Sequence, residues 1–271
     1  MKKTLSVLFA SVVFAAGLTT GLSSCFKNPV TGRSSINVFP ESDMRQMATQ
    51  QYATVLSTSN VVQGTKDAEM IKRVGQRMQV AVAQYLQSIG KADLVSGYQW
   101  EFNLVNENQA NAWCMPGGKV AFYTGILPFC QNEAGVAVVM SHEIAHAVAR
   151  HGNERMSQAV SAELGSVVLS TVLSEKPQQA QQIFGTLYGI GAQGTLLAYS
   201  RAQESEADHM GLIFMALAGY NPNEAVSFWQ RMAATGGQQP PELLSTHPSN
   251  QRRINDIKGE IPEAMKYYKP H

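Results

Sequence analysis

The sequence predicts an α+β fold, mostly α, from three observations. Residues 134–149 read AGVAVVMSHEIAHAVA, and the only ionisable groups in that run are those of the HEIAH stretch. Sixteen residues so rich in Ala and Val predict a buried helix. Two short segments, 99–105 and 119–123, carry strand signals and predict a small sheet with an edge strand able to hold a peptide. Residues 199–208, YSRAQESEAD, continue into the apolar MGLIFMAL, which predicts a second packed helix that starts with acids.

The elements follow in chain order. Lys2 and Lys3 precede a short apolar run over 5–18, so residues 1–24 read as an export signal, too short and interrupted for a spanning helix. The run ends at Leu22-Ser23-Ser24-Cys25, which resembles the bacterial lipobox and implies cleavage before Cys25 and lipidation of that residue. Acyl chains would attach the protein to a membrane without crossing it. Phe26, rather than an acid, follows Cys25, which favours the outer over the inner membrane. Residues 25–40 are rich in turn formers and read as a tether, leaving 41–271 as the domain. Helical periodicity covers 41–57 and 65–88, where Met70, Ile71, Val74, Met78, Val82 and Leu86 recur at helical steps. Pro116-Gly117-Gly118 is a turn into the strand 119–123. Asn132 and Glu133 suit the start of the HEIAH helix, which is expected to run to about Ser157. The apolar runs 165–173 and 183–197 are separated by SEKPQQ and read as two amphipathic or buried helices, a possible lid. Asn221-Pro222 marks another helix start, and 236–241 is a flexible loop ahead of His247.

Composition narrows the function classes. With 21 basic and 20 acidic residues the formal charge is +1, which gives no sign of nucleic-acid binding. Cys114 and Cys130 of an exported chain are either a disulfide or free thiols, and their spacing matches no zinc ligand pair.

The HEIAH stretch carries the chemistry. His142 and His146 are i, i+4 and share a helical face, so both imidazoles reach one metal ion, with Glu143 beside them. Core histidines satisfied by backbone carbonyls are the bland alternative. A buried carboxylate and two imidazoles without partners would cost several kcal/mol, and a metal removes that cost. A catalytic zinc takes three protein ligands and keeps one open position. Glu204 is the best third ligand, and Asp208, one turn on, suits the second role of orienting a metal-bound His. The alternative there is a solvated acidic helix start, which Glu206 alone would satisfy.

The combination of HExxH with SRxxExxAD resembles the zinc metallopeptidases that include the protease HtpX and the prenyl-protein CaaX endopeptidases. The match extends to Asn111-Ala112-Trp113-Cys114-Met115-Pro116-Gly117-Gly118, to Phe122-Tyr123-Thr124-Gly125-Ile126-Leu127, and to Thr246-His247-Pro248-Ser249 with Arg253-Ile254. It covers roughly residues 65–258 and is most similar to periplasmic or membrane-anchored members. The resemblance implies a zincin-like core of the gluzincin type, one Zn²⁺ per chain on His142, His146 and Glu204, and Glu143 as catalytic base.

These readings define a set of expectations. The strand 119–123 is the expected substrate edge, with Asn111, Lys119, Val120, Ala121 and Phe122 binding an extended peptide. Trp113 and Phe122 line side-chain pockets or belong to the core. His247 supports the oxyanion, blocks the open zinc position, or is a surface residue. Arg253 stabilises a carboxylate or pairs with Asp256. His151 and His209 are solvent or outer residues, since His151 lies five positions past His146, off the metal-facing side. The expected function is a zinc endopeptidase of the bacterial cell envelope, acting in the periplasm on unfolded or extended proteins. The competing reading is a zinc-containing, chaperone-like binding module, against which the retained Glu143 argues. A prenyl-protein endopeptidase needs a membrane chamber, and each apolar run after residue 24 is too short to span a membrane.

Overall fold

The computed structural model describes residues 25–164, 177–188, 198–234, 242–248 and 251–270. The expected signal peptide, the run 165–173, the later part of the run 183–197 and the loop 236–241 lie outside them.

A hairpin opens the described chain, β1 (Cys25–Lys27) paired antiparallel with β2 (Ser34–Ile36). It is not a free tether. Asn28, Ser35, Asn37 and Phe39 are buried against the domain, and Val38 N–H and Phe39 N–H donate to Ser157 and Asn153. Two long helices follow, α1 (Glu41–Thr58) and α2 (Lys66–Ser88), close to the expected bounds. The Thr65 hydroxyl caps α2 by accepting from Ala68 N–H, which is why the helix starts there.

Among the described residues the sheet has four strands: β3 (Val61–Val62), β4 (Glu101–Val105), β5 (Ala112–Met115) and β6 (Lys119–Tyr123). Their order is β3-β4-β6-β5, with β6 parallel to β4 and antiparallel to β5. The strand 119–123 is therefore interior, and the expected edge role falls to β5. Alternation along β5 and β6 serves two cores. Ala112, Cys114, Val120 and Phe122 face a cluster built with α2, while Trp113, Met115 and Ala121 face a smaller one with α1. Residues buried on both faces explain why β5 shows no polar–apolar alternation.

A short turn, α3 (Leu127–Cys130), leads into α4 (Glu133–Val148), the helix of the HEIAH stretch. Asn132 caps it, its Oδ1 accepting from Gly135 N–H at 3.0 Å, and Glu133 at the first turn pairs with Arg73 and Arg77. Every residue from Gly135 to Val148 is buried, as the apolar run predicts. The helix does not reach Ser157. It stops at Val148, Arg150 takes φ 59°, and a new helix α5 (His151–Leu164) begins. The left-handed residue is held by its side chain, which lies over the Phe26 ring at 4.5 Å and near Glu41 at 3.7 Å. Beyond it come α6 (Pro177–Leu187), α7 (Arg201–Leu217), α8 (Glu224–Ala234), the short α9 (Glu242–Thr246) and α10 (Gln251–Ala264).

Helices α4 and α7 form the most extensive helix pairing among the described residues. Gly211 makes it close: a Cβ there would stand 3.2 Å from the His142 backbone nitrogen. A reciprocal capping box between Ser200 and Gln203 fixes where α7 starts, and thereby which residues of its first turns face α4. Among the described residues no helix is long and apolar enough to cross a membrane.

Candidate metal centre

Four donor residues converge where α4, α7 and the end of α9 meet: His142, His146, Glu204 and His247, all buried. His142 Nε2 lies 3.0 Å from His146 Nε2 and 3.1 Å from His247 Nδ1. Glu204 Oε1 lies 2.9 Å from His247 Nδ1 and 3.4 Å from His146 Nε2. Ligands in a tetrahedron with bonds near 2.0 Å stand roughly 3.3 Å apart, so this spacing fits zinc. The donor chemistry fits as well, being imidazole and carboxylate. Glu143 Oε1 is a further sign: it is buried without a hydrogen-bond partner, and the nearest cationic group is His247 Nε2 at 3.5 Å. That lone carboxylate oxygen suits a water at the metal.

The outward-facing ring nitrogens also have close polar neighbours. His142 Nδ1 lies 3.0 Å from Asp208 Oδ1. Asp208 in turn accepts a forked pair from Arg253, Nε to Oδ2 at 2.7 Å and Nη2 to Oδ1 at 2.8 Å. Arg253 also pairs with Glu204 and stacks 3.8 Å over the Trp229 ring. It does not meet Asp256, which instead lies 3.8 Å from the exposed Arg252. His146 Nδ1 meets His151 Nδ1 at 2.8 Å, and His151 Nε2 reaches Glu206 Oε2 at 2.9 Å. His151 is therefore an outer residue as expected, but fully buried and directly behind a ligand. The break at Arg150 produces this by turning the chain back. His209 sits at the half-exposed rim, 3.8 Å from Glu260.

Electrostatics prepare these groups. Burial holds the His146 pKa well below its ordinary value, against the opposing pull of Glu204, so its lone pair is available. Glu204 stays ionised well below the usual carboxylate range: burial opposes this, but His247, Arg253 and two imidazole hydrogen bonds outweigh it. Burial pushes Glu143 up, against the lowering effect of His247 and His142. Burial alone would lower His247, yet the facing carboxylates of Glu143 and Glu204 raise it. Glu143 and Glu204 thus share surroundings but are pushed in opposite directions, one toward proton exchange and one toward fixed charge.

The substrate side differs from expectation in its strand. Lys119, Val120, Ala121 and Phe122 lie inside the sheet, where β4 and β5 take both sets of backbone groups, so they cannot bind a peptide by strand addition. Lys119 pairs with Glu101, and Phe122 is core. Asn111 keeps its expected neighbourhood. With Trp113 on β5 it lines a cavity of about 20 Å³ beside Glu143 and His247, closed by Leu187, Tyr188, Tyr199 and Thr246. Trp113 packs edge-on to Tyr52 at 5.7 Å in the smaller core and borders that cavity. Cys114 and Cys130 are buried free thiols.

No sequence signal marked Tyr199, whose ring lies 3.9 Å from that of His146, or Glu206, which is buried rather than solvated. A Tyr and an acid near the start of an amphipathic helix look the same whether they face solvent or a site.

Comparison with known proteins gives the arrangement its context. The family model for peptidase family M48 matches residues 66–261. The mitochondrial metalloendopeptidase OMA1 of Schizosaccharomyces pombe is 37% identical over 208 residues, 73% of this chain and 59% of that protein. OMA1 of Saccharomyces cerevisiae is 36% identical over 70% of this chain and 55% of its own length. The beta-barrel assembly-enhancing protease of Yersinia pestis is 29% identical over 70% of this chain and 40% of its own length. The chain thus spans between two fifths and three fifths of these relatives. With a family model covering most of the domain and relatives above 30% identity over some seven tenths of its length, the chain belongs to peptidase family M48, a family of zinc metallopeptidases.

Proposed function

We propose that the chain is an endopeptidase that hydrolyses peptide bonds of unfolded or extended proteins in the bacterial cell envelope, in a quality-control role. The observation that carries this reading is the convergence of His142, His146 and Glu204 with Glu143 and its unpartnered oxygen. Bound zinc supplies Lewis acidity and a water acidified toward neutrality. Glu143 takes a proton from water and returns it to the leaving amine, a role that its raised pKa suits. Asp208 and His151 fix the rings of His142 and His146. Strand β5, last in the sheet order and beside α4, is buried, so a peptide adds to it as a further strand only once that edge is uncovered.

In this reading His247 would block the site, because its Nδ1, 3.1 Å from His142 Nε2 and 2.9 Å from Glu204 Oε1, stands among the donors where catalysis needs an open position. Activity then requires withdrawal of the short segment after α9. Support for the envelope comes from the lipobox-like run ending at Cys25, an exposed residue at the start of β1, and from the name of the Yersinia pestis relative. The OMA1 relatives are named as mitochondrial, so the compartment rests on the export signal rather than on the family. The reading places the catalytic domain in the periplasm on a lipid anchor at the outer membrane.

A four-donor closed site is also what a purely structural zinc site looks like, and this favours one second reading, a zinc-containing binding module with little proteolysis. One experiment decides between the two readings. Casein cleavage that ortho-phenanthroline abolishes supports the peptidase, and its absence in basal and activated states supports the module. Proteomic comparison of envelope fractions holding wild type or Glu143→Gln should reveal accumulating or trapped substrates, and Cys25→Ser should release the protein from membranes.

A further inference from the structure

The segment Asn28–Arg33 in the hairpin between β1 and β2 has no part in the site as described, yet its side chains reach it. Arg33 donates from Nη1 and Nη2 to the two oxygens of Glu154 on α5, at 3.0 and 2.7 Å. Its Nε donates to Glu206 on α7, and the Thr31 hydroxyl donates to the other oxygen of the same carboxylate. One guanidinium thus staples α5 to α7 in a fork that Lys cannot reproduce.

Both carboxylates lead on to zinc ligands. Glu206 accepts from His151 Nε2, and His151 Nδ1 faces His146 Nδ1. With a metal on His146 Nε2 the proton order in this chain follows: Nδ1 of His146 carries the proton and donates to His151. His151 must then carry its own proton on Nε2, where it donates to Glu206. Reversing any member places two protons or two lone pairs face to face. Glu154 accepts from Gln203 Nε2 at 2.8 Å, and Gln203 closes the capping box immediately before Glu204. The fork therefore stands behind two of the three expected ligands, His146 through one carboxylate and Glu204 through the other.

We propose that Arg33 is a positioning residue for the metal centre, and that the hairpin following Cys25 is a built-in clamp on zinc affinity. Displacing the hairpin frees Glu206, loosens the His151 ring and lets His146 leave its metal-binding orientation. The membrane-proximal end of the chain is thus physically joined to the site eight residues after the cysteine proposed for lipidation.

The inference rests on the metal centre and not on hydrolysis, so the test uses no substrate. Zinc affinity of the full chain is measured by competition with a chromogenic chelator, and the Co²⁺-substituted protein is examined for its d–d bands. Loss of a group supporting a ligand typically weakens metal binding by about 10–100-fold. Arg33→Ala, which acts on His146 through Glu206 and His151, is expected at the lower end of that range, about 10-fold, and to change the Co²⁺ bands, while circular dichroism stays that of wild type. Arg33→Lys keeps the charge but not the fork and should lose less. If Arg33→Ala does not fold, the lysine variant carries the test, with about 3-fold or greater weakening expected. A folded variant with wild-type zinc affinity and unchanged Co²⁺ bands overturns the proposal, because a merely structural ion pair lowers the melting temperature without altering the metal. Wild type that binds neither metal overturns the metal centre itself, and the proposal with it.

Discussion

Replacing His247 by Ala should raise basal peptidase activity. In the closed form His247 Nδ1 lies 2.9 Å from Glu204 Oε1 and 3.1 Å from His142 Nε2, and the residue is buried. Seated as a fourth donor, Nδ1 carries no proton for Glu204, so an effective block requires a seated-state preference of about 1.4 kcal/mol or more, a factor of about 10. Ala cannot occupy the fourth position, so that bias disappears and the water-accessible state becomes the ground state. Arg253 still faces Glu204, so the remaining ligand is not left as an uncompensated buried charge. Initial rates on a fluorogenic casein at saturating zinc should therefore rise about 10-fold or more, with zinc near one per chain. A zinc-loaded variant with turnover at or below wild type would refute the blocking role and assign His247 to transition-state support instead.

Three further perturbations test other links. Glu204→Ala should reduce zinc below one per chain, and unchanged stoichiometry by metal analysis would transfer the ligand role elsewhere. Burial, then the nearby Asp208 and Asp256, push the Glu260 pKa up to about 7. An acid raised in the folded state costs stability as pH climbs from its unfolded value near 4.5 through 7, so Glu260→Gln should stabilise above pH 7 by on the order of 1 kcal/mol and give no gain near pH 4. A gain that is equal at both pH values in thermal melts would contradict this. Gly211→Val should separate α4 from α7, costing about 1–3 kcal/mol in denaturant melts and weakening zinc binding, because its side chain would meet the His142 backbone.

The parts of the site that were legible in sequence are those whose geometry is local. His142 and His146 share a face by helical spacing, and Glu204 and Asp208 do the same one helix later, so two short patterns suffice for the pairing of ligand and orienting acid. The apolar run around HEIAH foretold the burial of α4. Strand β5 was hidden because Ala112–Met115 is short, lacks β-branched residues and is buried on both faces. Misplacing the edge followed from this, since β6 looks like an outer strand until β5 is recognised beside it. His151 was hidden by the break at Arg150: in a continuous helix it would point away from the metal, and no glycine advertises the left-handed residue. The tether reading of 25–40 failed for a related reason. Arg33 meets Glu206 across 173 positions, and an ion pair at that distance leaves no periodicity to read.

The central claim is that Glu143 works as the base on a metal held by other residues. Zinc content and casein hydrolysis measured together on Glu143→Gln test it most directly. The account predicts one zinc per chain, as in wild type, and a rate reduced by about 10²–10⁴-fold. Retained hydrolysis, or loss of zinc in the folded variant, would contradict it.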